Sequence, residues 1–153
     1  MPSSIITETI RAIDPLHTTD TISVATRRVL DSGLPGLPAV GQNGKFAGIF
    51  GEREFMGALF PGYVRELGST AMIRRSIDEA IERRTTCLSE TIEKYLTTGH
   101  VAVSDDYSDT HLAELFLHHR VLVIPVATGD RVHAVVTRSD FFRALAERLL
   151  EAG

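Results

Sequence analysis

Apolar positions along this chain recur in two periods, and their alternation divides it into elements. Ile5, Ile6, Ile10 and Ile13 fit a short helix or an extended arm packing on the body. From Thr18 onward Val24, Ala25, Val29 and Leu30 form a stripe at helical spacing, with Thr19-Asp20 as N-cap and Ser32-Gly33 as stop. Leu37 to Val40 predicts a strand, Gly41-Gln42-Asn43-Gly44 carries an Asn-Gly hairpin signal, and Lys45 to Phe50 returns as a second strand. Arg53 to Phe60 reads as a helix stopped by Pro61-Gly62.

Tyr63 to Leu96 differs in character. It is rich in Arg and Glu, with Ile73, Ile77, Ala80 and Ile81 along one face and Arg75/Glu79 and Glu79/Arg83 at i,i+4 spacing. Thr91 to Leu96 reads as another short helix, so this segment is expected to supply connector helices packed outside the rest. From Thr97 the earlier pattern returns. Val101 and Val103 give a short strand, Ser104-Asp105-Asp106 and Ser108-Asp109 offer caps, and Leu112, Leu115, Phe116 and Leu117 make a helix face. Val121 to Val126, the turn Thr128-Gly129-Asp130 and Arg131 to Val136 read as a hairpin. Ser139 to Leu150 closes the chain as a helix, with Phe141, Phe142, Leu145 and Leu149 at helical spacing.

The recurrence is a measurable repeat. Leu34, Leu37 and Pro38 map to Val121, Ile124 and Pro125 at an offset of 87, and Lys45, Phe55, Ala58 and Leu59 map to Arg131, Phe141, Ala144 and Leu145 at 86. One residue is lost in the second hairpin turn, where length changes are tolerated. Each copy reads β-α-β-β-α, an α+β unit too small to bury its own sheet, so the two are expected to pack sheet to sheet about a pseudo-two-fold axis. The division expected is residues 1–60 for the first repeat with its N-terminal arm, 61–96 for the helical connector and 97–153 for the second repeat.

Composition narrows the function classes. The 153 residues are 43% hydrophobic and 24% charged, with 16 Lys plus Arg against 20 Asp plus Glu, a net charge of −4 that argues against a nucleic-acid partner. A single cysteine, Cys87, rules out an intrachain disulfide and a cysteine metal cage, and is expected as a packed thiol. No basic n-region opens the chain and no run of 18 apolar residues occurs, so a cytoplasmic, membrane-free protein is expected. His118-His119 and the four other histidines lack ligand spacing, and the Asp105-Asp106 stretch reads as caps, so no metal is expected. Without a phosphate loop, nucleophile elbow or paired acid and base, the chain is not expected to be an enzyme.

One polar stretch stands out. Thr137-Arg138-Ser139-Asp140 lies where the last strand feeds the last helix, a junction whose free amides suit an anion and whose side chains suit a sugar. The same residues fit a capping box, with Thr137 as N-cap and Asp140 three residues on. At the corresponding place in the first copy stand Gly51 and Glu54.

The duplicated helix, apolar-Pro strand, turn, Gly-containing strand and Thr-x-x-Asp helix start resemble the cystathionine-β-synthase (CBS) domain family. The matching residues are Leu37-Pro38-Ala39-Val40 with Gly48-Ile49-Phe50, and His119 to Val126 with Val135 to Asp140, over residues 13 to 60 and 97 to 150. The resemblance implies a tandem pair, or Bateman module, often homodimeric, that regulates by binding AMP, ADP, ATP or S-adenosylmethionine. With no effector domain in the sequence, its output is expected to pass to a separate protein. By the same resemblance Asp140 would hold ribose hydroxyls, Thr137 would lie near ribose or phosphate, and Arg138 would pair with phosphate. Leu34, Gly36 and Pro38, with Thr9 and Ile13, would form the opposing adenine wall. A second cleft, with Arg53 and Glu54 facing Thr98, Val121, Val123 and Pro125, is expected to be weaker because its hydroxyl is missing and its carboxylate sits one methylene further out. The alternative is a structural or protein-interaction homodimer that binds no nucleotide.

Overall fold

A computed structural model of the chain describes residues 4–60, 77–106 and 108–153. The first copy is a three-stranded sheet. Strand β2 (Leu16–His17) runs parallel to β3 (Gly36–Val40), and β4 (Phe46–Gly51) runs antiparallel to β3. Helix α2 (Ile22–Ser32) lies between β2 and β3, and α3 (Glu52–Leu59) follows β4. Thr21 is the N-cap of α2, its hydroxyl accepting from the Val24 amide at 3.2 Å. Its buried face is Ile22, Ala25 and Val29, whereas Val24 and Leu30 of the predicted stripe are exposed. The 3.6-residue period was legible in the sequence; its phase was set by what the helix packs on.

The second copy repeats this order. Strand β5 (Val103–Ser104) is parallel to β6 (Val123–Thr128), which is antiparallel to β7 (Arg131–Thr137), with α5 (Asp109–His118) and α6 (Arg138–Ala152) as its helices. The registers coincide at the sequence offset: Leu16 pairs with Ala39 as Val103 pairs with Val126, and a bulge falls at Ala39/Val40 and again at Val126/Ala127. In α6 only Phe141 is buried, its ring 5.4 Å from that of Phe116. Phe142, Leu145 and Leu149 face outward, so the apolar helical spacing read from the sequence spans two faces of which one is solvent-exposed.

The arm expected with the first repeat packs on the second. Helix α1 (Ile5–Thr9) buries Ile5 and Ile6 against Val103, Leu112, Ile124 and Phe141, and β1 (Arg11–Ala12) adds a fourth strand beside β7, giving the order β1-β7-β6-β5. The connector repays this exchange. Thr97 bridges to Ile49 on the free side of β4, and Cys87 and Ile92 enter the first core. Of the connector, α4 (Ile77–Arg84) carries exposed Ile77 and Ile81, and the short helix expected near Thr91 is a 3₁₀ turn at Glu93–Tyr95. Ile73 and Arg75 lie outside the described residues. Val123 and Val135 of the second sheet reach into the first cluster, which is where the two copies meet.

Candidate functional site

The two strand-to-helix junctions differ in the chemistry that closes them. At the start of α6 the buried Thr137 hydroxyl accepts from the Asp140 amide at 3.0 Å, the forward half of a capping box. The Asp140 carboxylate does not complete it. Arg11 Nε donates to Oδ2 at 2.6 Å and Nη2 to Oδ1 at 2.9 Å, a two-point fork that uses both oxygens. These bonds, aided by Thr137 and by the charge of Arg143, outweigh partial burial and hold the Asp140 carboxyl below the usual carboxylate range; Arg11 is raised in turn.

At the start of α3, Gly51 supplies no hydroxyl, and Glu54 supplies the reverse half: its Oε1 accepts from the Gly51 amide at 2.9 Å. Its other oxygen accepts from the Thr97 hydroxyl. A side chain at Gly51 has no room, because a Cβ there would lie 2.3 Å from the Pro35 carbonyl oxygen and 2.6 Å from the Gly36 Cα. The pair Gly36–Gly51 brings β3 and β4 close, where Val123 and Thr137 pair in the second copy.

Arg11 stands at the edge of a groove of about 400 Å³. Its walls are Ala12, Ile13 and Asp14 of the arm, Leu34 and Leu37 of the first copy, and Arg28, Asp31 and Ser32 of α2. Arg28 is spent on the arm, donating to the carbonyls of Asp14 and Pro15. The arm that carries Arg11 is itself fixed by Asp109, whose carboxylate accepts from the Ser4 hydroxyl and from the Ile5 and Ile6 amides at 2.6 to 3.1 Å. Burial works to raise the Asp109 carboxyl, but these three bonds outweigh it and leave it below its ordinary value.

Of the residues expected in the better cleft, Ile13 and Leu34 line the groove, and Asp140 is joined to its rim through Arg11. Arg138 is exposed, its amide donating to the Leu122 carbonyl at 2.9 Å. Gly36 faces Gly51 and Ile49, Pro38 is fully buried, and the Thr9 hydroxyl donates to the Ile5 carbonyl inside α1. In the other cleft Val123 and Pro125 are buried in the core, Val121 packs beside the second cluster, and Arg53 and Thr98 are exposed. Arg11 is the residue that sequence reasoning passed over. Its signal was positional: 86 residues before Thr97 it takes the same bridging place, pairing with Val135 as Thr97 pairs with Ile49. Among the described residues no group of His, Cys, Asp and Glu could hold a metal, and no helix is long and apolar enough to cross a membrane.

Residues 92–147 match the family model described as CBS domain. No curated protein matches the chain in sequence. Among solved structures, the CBS domain of a CBS domain containing membrane protein from Sphaerobacter thermophilus is similar at a TM-score of 0.68 and 22% identity, over 91% of this chain and 83% of that one. A putative acetoin utilization protein (AcuB) from Vibrio cholerae gives 0.66 and 19%, over 95% and 92%. CBSX2, solved in complex with AMP, gives 0.66 and 15%, over 95% and 98%. At these identities the likeness is one of fold.

Proposed function

We propose, for a chain whose residues 92–147 are a CBS domain and whose whole fold is that of CBS-domain proteins, a non-catalytic regulatory module that binds an adenosine-containing ligand and passes the signal to a separate protein. The observation that carries this reading is the groove, where the apolar side chains Ile13, Leu34 and Leu37 share the wall with Arg11, whose guanidinium is paired with the ionised Asp140 carboxylate at a helix start. Its volume falls within the roughly 300–1,000 Å³ of small-molecule sites. An apolar wall suits a flat base. The carboxylate offers two acceptor oxygens to a vicinal diol, which an amide cannot copy. A relative of the same fold, CBSX2, is solved with AMP bound, which supports an adenine nucleotide among the adenosyl ligands. The lone thiol, buried at Cys87, suits a reducing compartment such as the cytoplasm.

The rival reading is a protein-interaction homodimer that binds no nucleotide. It is favoured by two observations: both junction carboxylates already have partners within the chain, and α6 presents Phe142 and Leu149 at 70% and 73% exposure. A thermal-shift panel with AMP, ADP, ATP and S-adenosylmethionine separates the two. Ligand at 100 times its Kd should stabilise the fold by about 2.7 kcal/mol. No shift with any of the four would leave the interaction reading standing. Where one binds, Asp140→Ala should weaken it far more than Glu54→Ala, and equal losses would refute the ranking of the two clefts.

A further inference from the structure

The fork between Arg11 and Asp140 poses a problem for any ligand of the groove. A ribose diol and a guanidinium are both two-point donors, and both seat on the same edge of a carboxylate. With Arg11 in place that edge is taken, so a ribose reaches Asp140 only by displacing the guanidinium. The displaced cation then needs a partner. Arg28, the other cation lining the groove, is not available to a ligand anion, because its donors hold the carbonyls of Asp14 and Pro15. A ligand that brings its own anion solves the exchange in one step.

We propose that Arg11 is the specificity-determining residue of the groove, restricting it to adenosyl ligands that carry a phosphate: the ribose takes Asp140, and the phosphate takes the freed guanidinium. This rests on the adenosyl reading above and deepens it. The Arg11 side chain is half exposed and lines the groove, so it can turn toward a ligand there while its backbone stays paired with Val135. Arginine suits the role because its planar fork meets phosphate oxygens as it meets carboxylate oxygens. A neutral nucleoside brings no anion to the freed cation. S-adenosylmethionine adds a sulfonium charge beside it, so both are disfavoured for the same electrostatic reason.

The test is calorimetric titration of the full chain with adenosine, AMP and S-adenosylmethionine, in the wild type, Arg11→Ala and Arg11→Gln. The wild type should bind AMP more than about tenfold tighter than adenosine, as expected for one charge-assisted pair. In both variants that preference should collapse or reverse, since AMP loses its partner while adenosine loses its competitor. Circular dichroism checks that the fold persists, and Gln keeps most of the length where Ala leaves a gap. An AMP-to-adenosine ratio unchanged by either substitution, as when Arg11 re-pairs with Asp14 or Asp31, would overturn the role of Arg11 while leaving the adenosyl reading intact. Failure of all three ligands to bind wild type and variants alike would overturn both.

Discussion

At the β7–α6 junction a hydroxyl accepts the third amide of the helix, and the acid three residues on reaches outward to a cation from the N-terminal arm. At the β4–α3 junction the hydroxyl is absent, the acid turns back onto the Gly51 amide, and its outer partner is a neutral hydroxyl from the connector. The two junctions thus hold opposite halves of one capping device, and each borrows its last partner from the segment that precedes the other copy. What separates them is the room for a side chain. Where Gly36 and Gly51 let β3 and β4 close up, a threonine has no room; where Val123 and Thr137 pair, it does. The acid whose charged partner lines a groove is Asp140, which is why the functional reading falls on the second junction.

The comparison breaks most severely at Gly51. Gly51→Thr would restore the family-like pair on paper, yet its Cβ meets the backbone of Pro35 and Gly36, and backbone cannot move aside as a flexible side chain can. The expected loss is about 3 kcal/mol or more, read as a fall in the urea midpoint. Thr137→Ala, which only removes the cap of α6, should cost about 1 kcal/mol. Equal costs would mean that the two junctions are not held apart by strand spacing.

Next in size is the anchor of the arm. Asp109 lies 87 residues after Ile22, and the first copy has no carboxylate at that point. There the connector meets the helix start through backbone bonds, with the Ile22 amide donating to the Glu90 carbonyl at 2.8 Å and the Ile92 amide to the Asp20 carbonyl at 2.9 Å. Asp109→Ala leaves one hydroxyl and two amides of the α1 start without an acceptor, so a loss of about 2 kcal/mol is expected. Hydrogen exchange should quicken across residues 5 to 12 and stay slow at Ile92. Fast exchange at both would show that the arm and the connector open together rather than as separate swaps.

The duplication made most of the fold legible. An offset of 87, then 86, located the hairpin strands and the helices of both copies and the turn that lost a residue, because these elements in each copy bury the same face, whereas β2 at Leu16–His17 was too short to read. The exchange of preceding segments was not legible, since a two-residue strand such as Arg11–Ala12 has no period to read. The family resemblance therefore starts at residue 13, although Ile6 and Ile92 occupy matching buried positions 86 apart and the CBS model begins at residue 92. Of the residues that line the groove or pair with its rim, Ile13, Leu34 and Asp140 are among those expected from motif and resemblance. Arg11 is not, because its partner lies 129 residues away and only the strand pairing of β1 with β7 joins them.

The smallest effect distinguishes a charged outer partner from a neutral one. Arg11→Ala removes an ion pair whose cation is 51% exposed, so its cost at neutral pH and low salt should be only about 0.2–1 kcal/mol. Thr97→Val removes the corresponding hydroxyl from Glu54. Added salt should shrink the first cost and leave the second nearly unchanged, since screening acts on charge pairs. Acid adds a second axis. The folded Asp140 carboxyl titrates below its unfolded value of about 3.9, so the folded state releases that proton more readily and gains stability above that pH. The gain is lost as pH falls through the folded value. In urea titrations between neutral pH and the acid limb, the wild-type curve should therefore converge on that of Arg11→Ala as Asp140 takes up its proton. A gap between the two that persists after Asp140 has protonated would mean that Arg11 holds the arm by packing rather than by charge.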